Sequence, residues 1–292
     1  MAARRKTRGG RWPRLRAAAR WAGVHVRTGA TALGLRGALL IGLGVAALWG
    51  AGAAREYVGR MPRFRVYPGR FRAKAPAWCA DDLAAVAFPR QSYSIFDPAL
   101  TREVAAAYAR CPWVASVLKV EKRFPNELRV ELELRQPAAF VRLPGASHAI
   151  DTNAIRLPLA YHKWDHAGRP LPLVFGVRSD PPPAGTRWAD RRVTAAASVL
   201  TTLAGDPSVL KQIHVIDVAN LDGGVDPLRS EIQLFTRQRV RINWGRPPDT
   251  RKFGEPPAHA KLARLRRFLA QAVGSSSSID LRFPDDGELA RQ

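Results

Sequence analysis

The amino-acid sequence predicts an α+β protein held by one N-terminal membrane-crossing helix. Three observations predict it. Gly37 to Ala54 is an eighteen-residue run without a charge, behind a strongly basic start. Residues 98–135 read as a helix followed by an unbroken alternating hairpin. After Pro137 the chain alternates as several short strands interrupted by two amphipathic helices, a mainly antiparallel β pattern with flanking helices.

The formal net charge is +23, and it is unevenly spread. Residues 1–36 hold ten cations, from Arg4 to Arg36, and the first acidic residue is Glu56. Such a tail suits nucleic acid, a targeting sequence, or the cytoplasmic flank of a membrane helix. The apolar run directly behind the tail decides among them. Eighteen helical residues span roughly 27 Å, close to a hydrocarbon core of about 30 Å. A soluble helix of this length would show a polar face, and a signal-peptide core would be shorter, although Ala51-Gly52-Ala53 offers small residues for cleavage. The cation bias places residues 1–36 in the cytoplasm and the chain from about 55 onward outside. The expected divisions are a basic cytoplasmic tail (1–36), a transmembrane helix (37–54), two exported domains (62–136 and 137–284) and a disordered C-terminal tail (285–292).

In the first exported domain Phe64 to Tyr67 reads as a strand stopped by Pro68-Gly69, and Asp81 to Phe88 as a short helix. Asp97-Pro98 is a helix start, with Asp97 as N-cap and Pro98 at the first position. Leu100, Val104, Ala107 and Tyr108 share one face until Cys111-Pro112. The hairpin comes next. Val114, Leu118 and Val120 oppose Lys119, Glu121 and Arg123, and after Pro125-Asn126 Leu128, Val130, Leu132 and Leu134 alternate with charges. Mixed charges on the outer face allow cross-strand ion pairs.

The second domain reads as loop-rich from Pro137 to Asp190, with short strands at 149–151 and 173–176. A helix over 190–204 buries Val193, Ala196, Leu200 and Leu203 and stops at Gly205-Asp206-Pro207. Strands are expected over 213–218, 231–236 and 239–244. A helix over 257–273 carries Leu262, Leu265, Leu269 and Val273, with Lys261, Arg264 and Arg267 on its other sides. Ser275 to Ser278 is a joint before a final alternating strand, Ile279 to Phe283.

The two cysteines, Cys79 and Cys111, lie on the exported side, where disulfides persist. They are candidates for a bridge closing residues 79–111, worth roughly 3–4 kcal/mol on the chain-entropy model. The alternative is two buried thiols. His162 and His166 have HxxxH spacing, but Pro158, Gly168 and Pro170 disfavour the helix a metal pair would need. Asp217, Asp222 and Asp226 miss the calcium-loop spacing and read as turn residues around Gly223-Gly224. No phosphate loop, nucleophile elbow or zinc motif is present, so no catalytic residue, cofactor or metal site is expected.

In order, these segments resemble the FtsQ/DivIB family of bacterial cell-division proteins over roughly residues 33–284. The most specific stretch runs Pro112-Trp113-Val114, Val117, Val120, Lys122-Arg123-Phe124-Pro125, Leu128, Val130, Leu134-Arg135 and Pro137-Ala138-Ala139. It is similar to the family's "PWV…V…R.WP..L.V.V.ER.PVA", with Phe124 where Trp is usual. Ala149-Ile150-Asp151 is similar to "liD..G", with Asn153-Ala154 in place of Asp-Gly, and Pro172 to Gly176 to "LP.l.G". Ile279 to Phe283 is similar to "iDLRy".

The resemblance implies a POTRA domain (62–136, β-α-α-β-β) and a β-domain (137–284) in a non-enzymatic scaffold. It implies a place at the division septum in the bacterial cytoplasmic membrane, linking early and late division proteins. The implied partners are small single-pass proteins of the FtsB and FtsL kind. By position, the partner edge falls on Leu281, Arg282, Phe283 and Asp285, and an added partner strand is the physical means. Where the family continues with an apolar stretch, this sequence has Asp285-Asp286-Gly287-Glu288. Competing expectations are a membrane-tethered nucleic-acid binder using the arginine-rich tail, or another POTRA-containing secretion component. The latter would carry a transmembrane barrel, for which 292 residues leave no room.

Overall fold

The computed structural model describes residues 13–160, 171–250, 254–271 and 278–284. The chain is mixed α+β and divides into two compact units, one of Met1–Arg65 with Ser94–Asp97, the other of Val66–Tyr93 with Pro98–Gln292.

The first unit is dominated by α1 (Pro13–Arg60), 48 residues long. It is not confined to 37–54. Pro13 suits a first helical position, and no proline recurs until Pro62, so nothing interrupts the alanine-rich backbone. The tail expected over 1–36 is therefore helical from Pro13 onward, and residues 55–60 beyond the expected transmembrane helix continue the same helix. Within α1, Gly37–Arg60 is 24 residues long and apolar enough to cross a membrane. Leu39, Leu40, Ile41, Leu43, Leu48 and Trp49 are all exposed along it, as an apolar helix facing lipid would be.

β1 (Arg65–Val66) and β3 (Tyr93–Ser94), two residues each, pair with one another, and two larger sheets lie in the second unit. The smaller has the order β2 (Phe71–Ala73), β5 (Glu127–Leu134), β4 (Val114–Arg123), with β2 parallel and β4 antiparallel to the central β5. Two helices belong to this part, α2 (Ala80–Ala84) and α3 (Leu100–Ala109). α3 buries Leu100, Val104, Ala107 and Tyr108, the face read from the spacing, but it starts at Leu100 with Ala99, not Asp97, at the N-cap.

The β4–β5 hairpin departs from simple alternation on one side. β5 buries Leu128 and Val130 as expected, whereas β4 has register shifts between Val114 and Ser116 and between Val117 and Lys119. Each extra residue flips the parity after it, so Leu118 ends 65 % exposed and is not on the core face. Two ion pairs of the hairpin run along the strands, Arg123–Glu121 and Arg129–Glu131.

The larger sheet has eight strands in the order β13-β12-β11-β10-β9-β6-β7-β8. These are β6 (Ala139–Leu143), β7 (Ala146–Ile150), β8 (Arg156–Ala160), β9 (Leu173–Phe175), β10 (Ile213–Asp217), β11 (Ile232–Thr236), β12 (Arg241–Gly245) and β13 (Ser278–Asp280). It is mixed rather than mainly antiparallel, because β9 lies parallel to both β6 and β10 and β13 lies parallel to β12. The β6–β7–β8 meander falls in the stretch that reads as loop-rich, where the strand expected at 149–151 meets only the end of β7. In β6 the consecutive residues Ala139, Phe140 and Val141 are all buried, so this strand shows no period of two.

The helices α4 (Arg191–Ala204), α5 (Pro207–Leu210) and α6 (Ala258–Gln271) accompany this sheet. Val193, Ala196, Leu200 and Leu203 of α4 join Val174, Ile216, Leu234, Ile242 and Trp244 of the sheet in one core. Gly176, at φ +91°, closes β9 against the next crossover, and a Cβ there would lie 2.3 Å from the Ala219 backbone nitrogen. Of the joint expected at Ser275–Ser278, residues 275–277 lie outside the described residues, as do the His162/His166 pair and the tail 285–292, while Ser278 opens β13.

Candidate partner-binding edge

β13 is the last strand of the eight-stranded sheet, and only β12 pairs with it among the described residues. Leu281 N–H donates to the Asn243 carbonyl at 2.9 Å. By strand alternation the backbone groups of Ile279 and Leu281 point into the sheet, and those of Ser278 and Asp280 point away from it. The strand ends at Asp280, three residues short of the stretch read as Ile279–Phe283. The reason is local. Asp280 Oδ1 accepts the backbone N–H of Arg282 at 3.0 Å, which turns the chain out of the ladder.

The residues assigned to this edge take different positions. Leu281 is fully buried and joins the core, so it anchors the edge from beneath. Arg282 is half-buried and locked. Its Nε donates to both Asp280 oxygens at 3.0 and 3.1 Å, Nη2 donates to Oδ2 at 2.7 Å, and Nη1 reaches the Leu228 carbonyl at 2.9 Å. Phe283 is 60 % exposed, with the Arg282 guanidinium 5.4 Å from its ring centroid. Arg264 of α6 donates to its carbonyl, so the ring projects from a held backbone. Asp285 lies outside the described residues.

A row of polar side chains fixes the clip across three strands. Gln233 Nε2 donates to Asn243 Oδ1 at 3.0 Å, and Asn243 Nδ2 donates to Asp280 Oδ2 at 3.4 Å. Burial pushes the Asp280 carboxyl up, but the Arg282 side chain and backbone N–H, its charge and the Asn243 amide together hold it below the ordinary carboxylate range. The same ion pair holds Arg282 above its ordinary value.

Beneath the edge sits a buried cation that the sequence pattern places on an outer helical side. Lys261 is 4 % exposed, because it precedes Leu265 by four residues and shares its stripe on α6. Its ammonium donates to the Trp244 carbonyl at 2.8 Å and to Glu255, and lies 5.4 Å from the Trp244 ring centroid. Burial lowers the Lys261 pKa, against the opposing pull of Glu255. Glu255 Oε1 also accepts Arg246 N–H at 2.9 Å. Gly245, at φ +94°, lets these groups meet, since a Cβ there would be 2.1 Å from Glu255 Oε1 and 3.0 Å from Arg282 Cγ.

No protein-family model matches the chain, and no curated protein matches it.

Sequence reasoning missed the loop that borders Arg282. Asn220 organises it with one amide. Nδ2 donates to the carbonyls of Asp226, Arg229 and Ser230, and Oδ1 accepts the N–H groups of Val225 and Asp226. Leu228, 85 % exposed, is thereby presented beside the Arg282 guanidinium that bonds its carbonyl. An apolar residue within a Gly-Asp-Pro-rich turn was the only available signal.

The Asp280 clip carries a testable sign. A carboxyl whose folded pKa is lowered contributes stability above its unfolded value of about 3.9, and loses it as pH falls through the lower folded value. Urea unfolding measured down that range is expected to show this loss in the native chain and to lack that component in Asp280→Asn.

The remaining candidates are buried. Cys79 and Cys111 are both free thiols in the structure. Around them the Trp78 and Trp113 rings meet at 4.9 Å between centroids, and Trp113 Nε1 donates to Asp82 at 2.6 Å. Burial, with Cys111 and Asp82 nearby, pushes the Cys79 thiol up to about 11. It is therefore not a reactive thiolate at neutral pH. Among the described residues no group of His, Cys, Asp and Glu is placed to hold a metal ion.

Proposed function

We propose that this chain is a membrane-anchored scaffold of the bacterial division machinery, of the FtsQ/DivIB kind, acting at the septum. Its exported part binds small single-pass division proteins of the FtsB and FtsL kind, and it carries out no chemistry of its own. The observation that carries this is the terminal position of β13 in the sheet, with outward backbone groups at Ser278 and Asp280 and an exposed aromatic, Phe283, beside them. An incoming strand pairs with those groups while Phe283 and Leu228 supply apolar anchors at its end. The three-stranded sheet β2-β5-β4, with β5 central and with α2 and α3 between β2 and β4, supports reading this part as a POTRA domain, although the two-residue strand β3 also falls between the two helices. The apolar stretch Gly37–Arg60 supports the single-pass anchor, and the cations before it the cytoplasmic N-terminus.

Phe283→Glu is expected to weaken partner capture by about 2 kcal/mol or more, roughly thirtyfold, with unchanged thermal stability. Co-purification of the division partners with the native and substituted chains measures it; equal recovery would remove Phe283 from the site. A fluorescent fusion of the full chain is expected at midcell in dividing cells. A uniform envelope signal counts against a septal scaffold.

A further inference from the structure

The tip of the β4–β5 hairpin has features that binding at β13 does not use. Phe124, just before the turn, is 65 % exposed, and Tyr67 is 47 % exposed. An open groove of about 860 Å³ runs between the tip and β2, with Arg72, Lys74, Arg123, Phe124 and Arg129 among its lining residues. Arg70 reaches the tip as well, donating to Asn126 Oδ1 at 3.0 Å.

The charge here is surplus rather than balanced. Three cations pair with carboxylates, Arg72 with Glu127, Arg123 with Glu121 and Arg129 with Glu131. Arg70 meets a neutral amide, and residues 70–74 and 119–133 together carry seven cations against four carboxylates. Connectivity supplies the second observation. Arg70 lies ten residues after Arg60, the end of the apolar helix, a tether of at most roughly 35 Å. A cationic rim around an exposed aromatic, on a tether that short, matches the headgroup region of an anionic bilayer, where cations meet phosphates and aromatic rings sit at the interface.

We infer that the hairpin tip, Lys122 to Phe124 with Arg70, Arg72 and Lys74, docks on the anionic lipid surface of the membrane that α1 crosses. This rests on the single-pass anchor proposed above. The patch lies on a different sheet from β13, so it orients the exported part without occupying the partner edge.

The test uses the full chain in nanodiscs of phosphatidylglycerol or of phosphatidylcholine, read by amide hydrogen exchange. Exchange over residues 70–74 and 122–129 is expected to be severalfold slower in phosphatidylglycerol, and the difference to vanish in Lys74→Glu/Lys122→Glu and in Phe124→Ser. Both variants change exposed or half-exposed side chains, and unaltered exchange in β10 and β11 checks that they fold. Equal exchange in the two lipids, with the chain incorporated, overturns the inference and leaves the anchor standing. A chain that fails to enter either nanodisc overturns the anchor, and the inference with it. Slowing by soluble heparin to the same degree in phosphatidylcholine nanodiscs would assign the patch to a polyanion other than lipid and also overturn it.

Discussion

Asp151→Ala is expected to cost about 3–5 kcal/mol, the range for removing one partner of a buried ion pair. The Asp151 side chain is 4 % exposed and its partner Arg135 17 %, with Arg135 Nη1 donating to Asp151 Oδ2 at 3.2 Å. The other oxygen, Oδ1, accepts the backbone N–H groups of Asn153 and Ile155, both at 2.8 Å. Alanine would leave a buried guanidinium and two backbone donors without acceptors. The position matters as much as the pair. Arg135 comes directly after β5 and Asp151 directly after β7, so the pair ties the smaller sheet to the larger. Arg135 N–H, bonded to the Trp113 carbonyl at 2.8 Å, fixes the same junction from the hairpin side. Urea denaturation of the full chain in detergent measures the loss. Asp151→Asn keeps an oxygen for the turn and is expected to lose less. Arg135→Met added to Asp151→Ala is expected to recover part of the cost, because it removes the stranded charge. A loss below about 1 kcal/mol in the single alanine variant would show that the pair does not hold the junction.

That turn also shows where the sequence was readable. Asp151 was recognisable as a motif residue, yet nothing in the pattern named Arg135 as its partner, since pairing at sixteen residues' separation depends on the fold. Ala154 sits at φ +60°, a backbone conformation that glycine adopts more readily, and its methyl is buried. Helix faces were legible because one face of α3 and of α4 is apolar at helical spacing, and burial tracks that spacing. β5 was legible because only one of its faces is covered. β4 and β6 were not, for opposite reasons. β4 inserts extra residues that break the parity the sequence suggests, and β6 is covered on both faces and has no alternation to read.

The candidate edge was legible as a short motif and not as a surface. Motif position alone treats Leu281, Arg282 and Phe283 as equivalent, but alternation and the Asp280 clip sort them into a core anchor, a locked cation and an exposed ring. Leu228, more than fifty residues earlier in the chain, reaches the same place only through the Arg282 guanidinium. The free ladder is correspondingly short, and most of the affinity of an added strand must come from side-chain anchors at its end.

Lys261→Ala is expected to be as costly as the junction variant, about 3–5 kcal/mol, and to weaken partner capture as well. Removing the ammonium leaves Glu255, whose side chain is 12 % exposed, as an unpaired buried carboxylate beside Gly245 and the Arg282 stem. It also strips the Trp244 carbonyl of its side-chain donor in β12, the strand that carries β13. Lys261→Met preserves the apolar stem but strands the same carboxylate, whereas Lys261→Met with Glu255→Gln removes both charges and is expected to recover most of the loss. The pH dependence has a fixed sign. Burial lowers the folded pKa of Lys261, so between that value and the unfolded value of about 10.4 the unfolded chain binds more protons. The native chain should therefore gain stability relative to Lys261→Met as pH rises through that window, and a flat difference would mean that Glu255 fully offsets the cost of burying the ammonium. Phe283→Glu separates the two roles of the edge. It should weaken capture roughly thirtyfold at unchanged stability, while Lys261→Ala should lower both together, because the proposed contact falls on the exposed ring and the buried pair holds the strand that presents it.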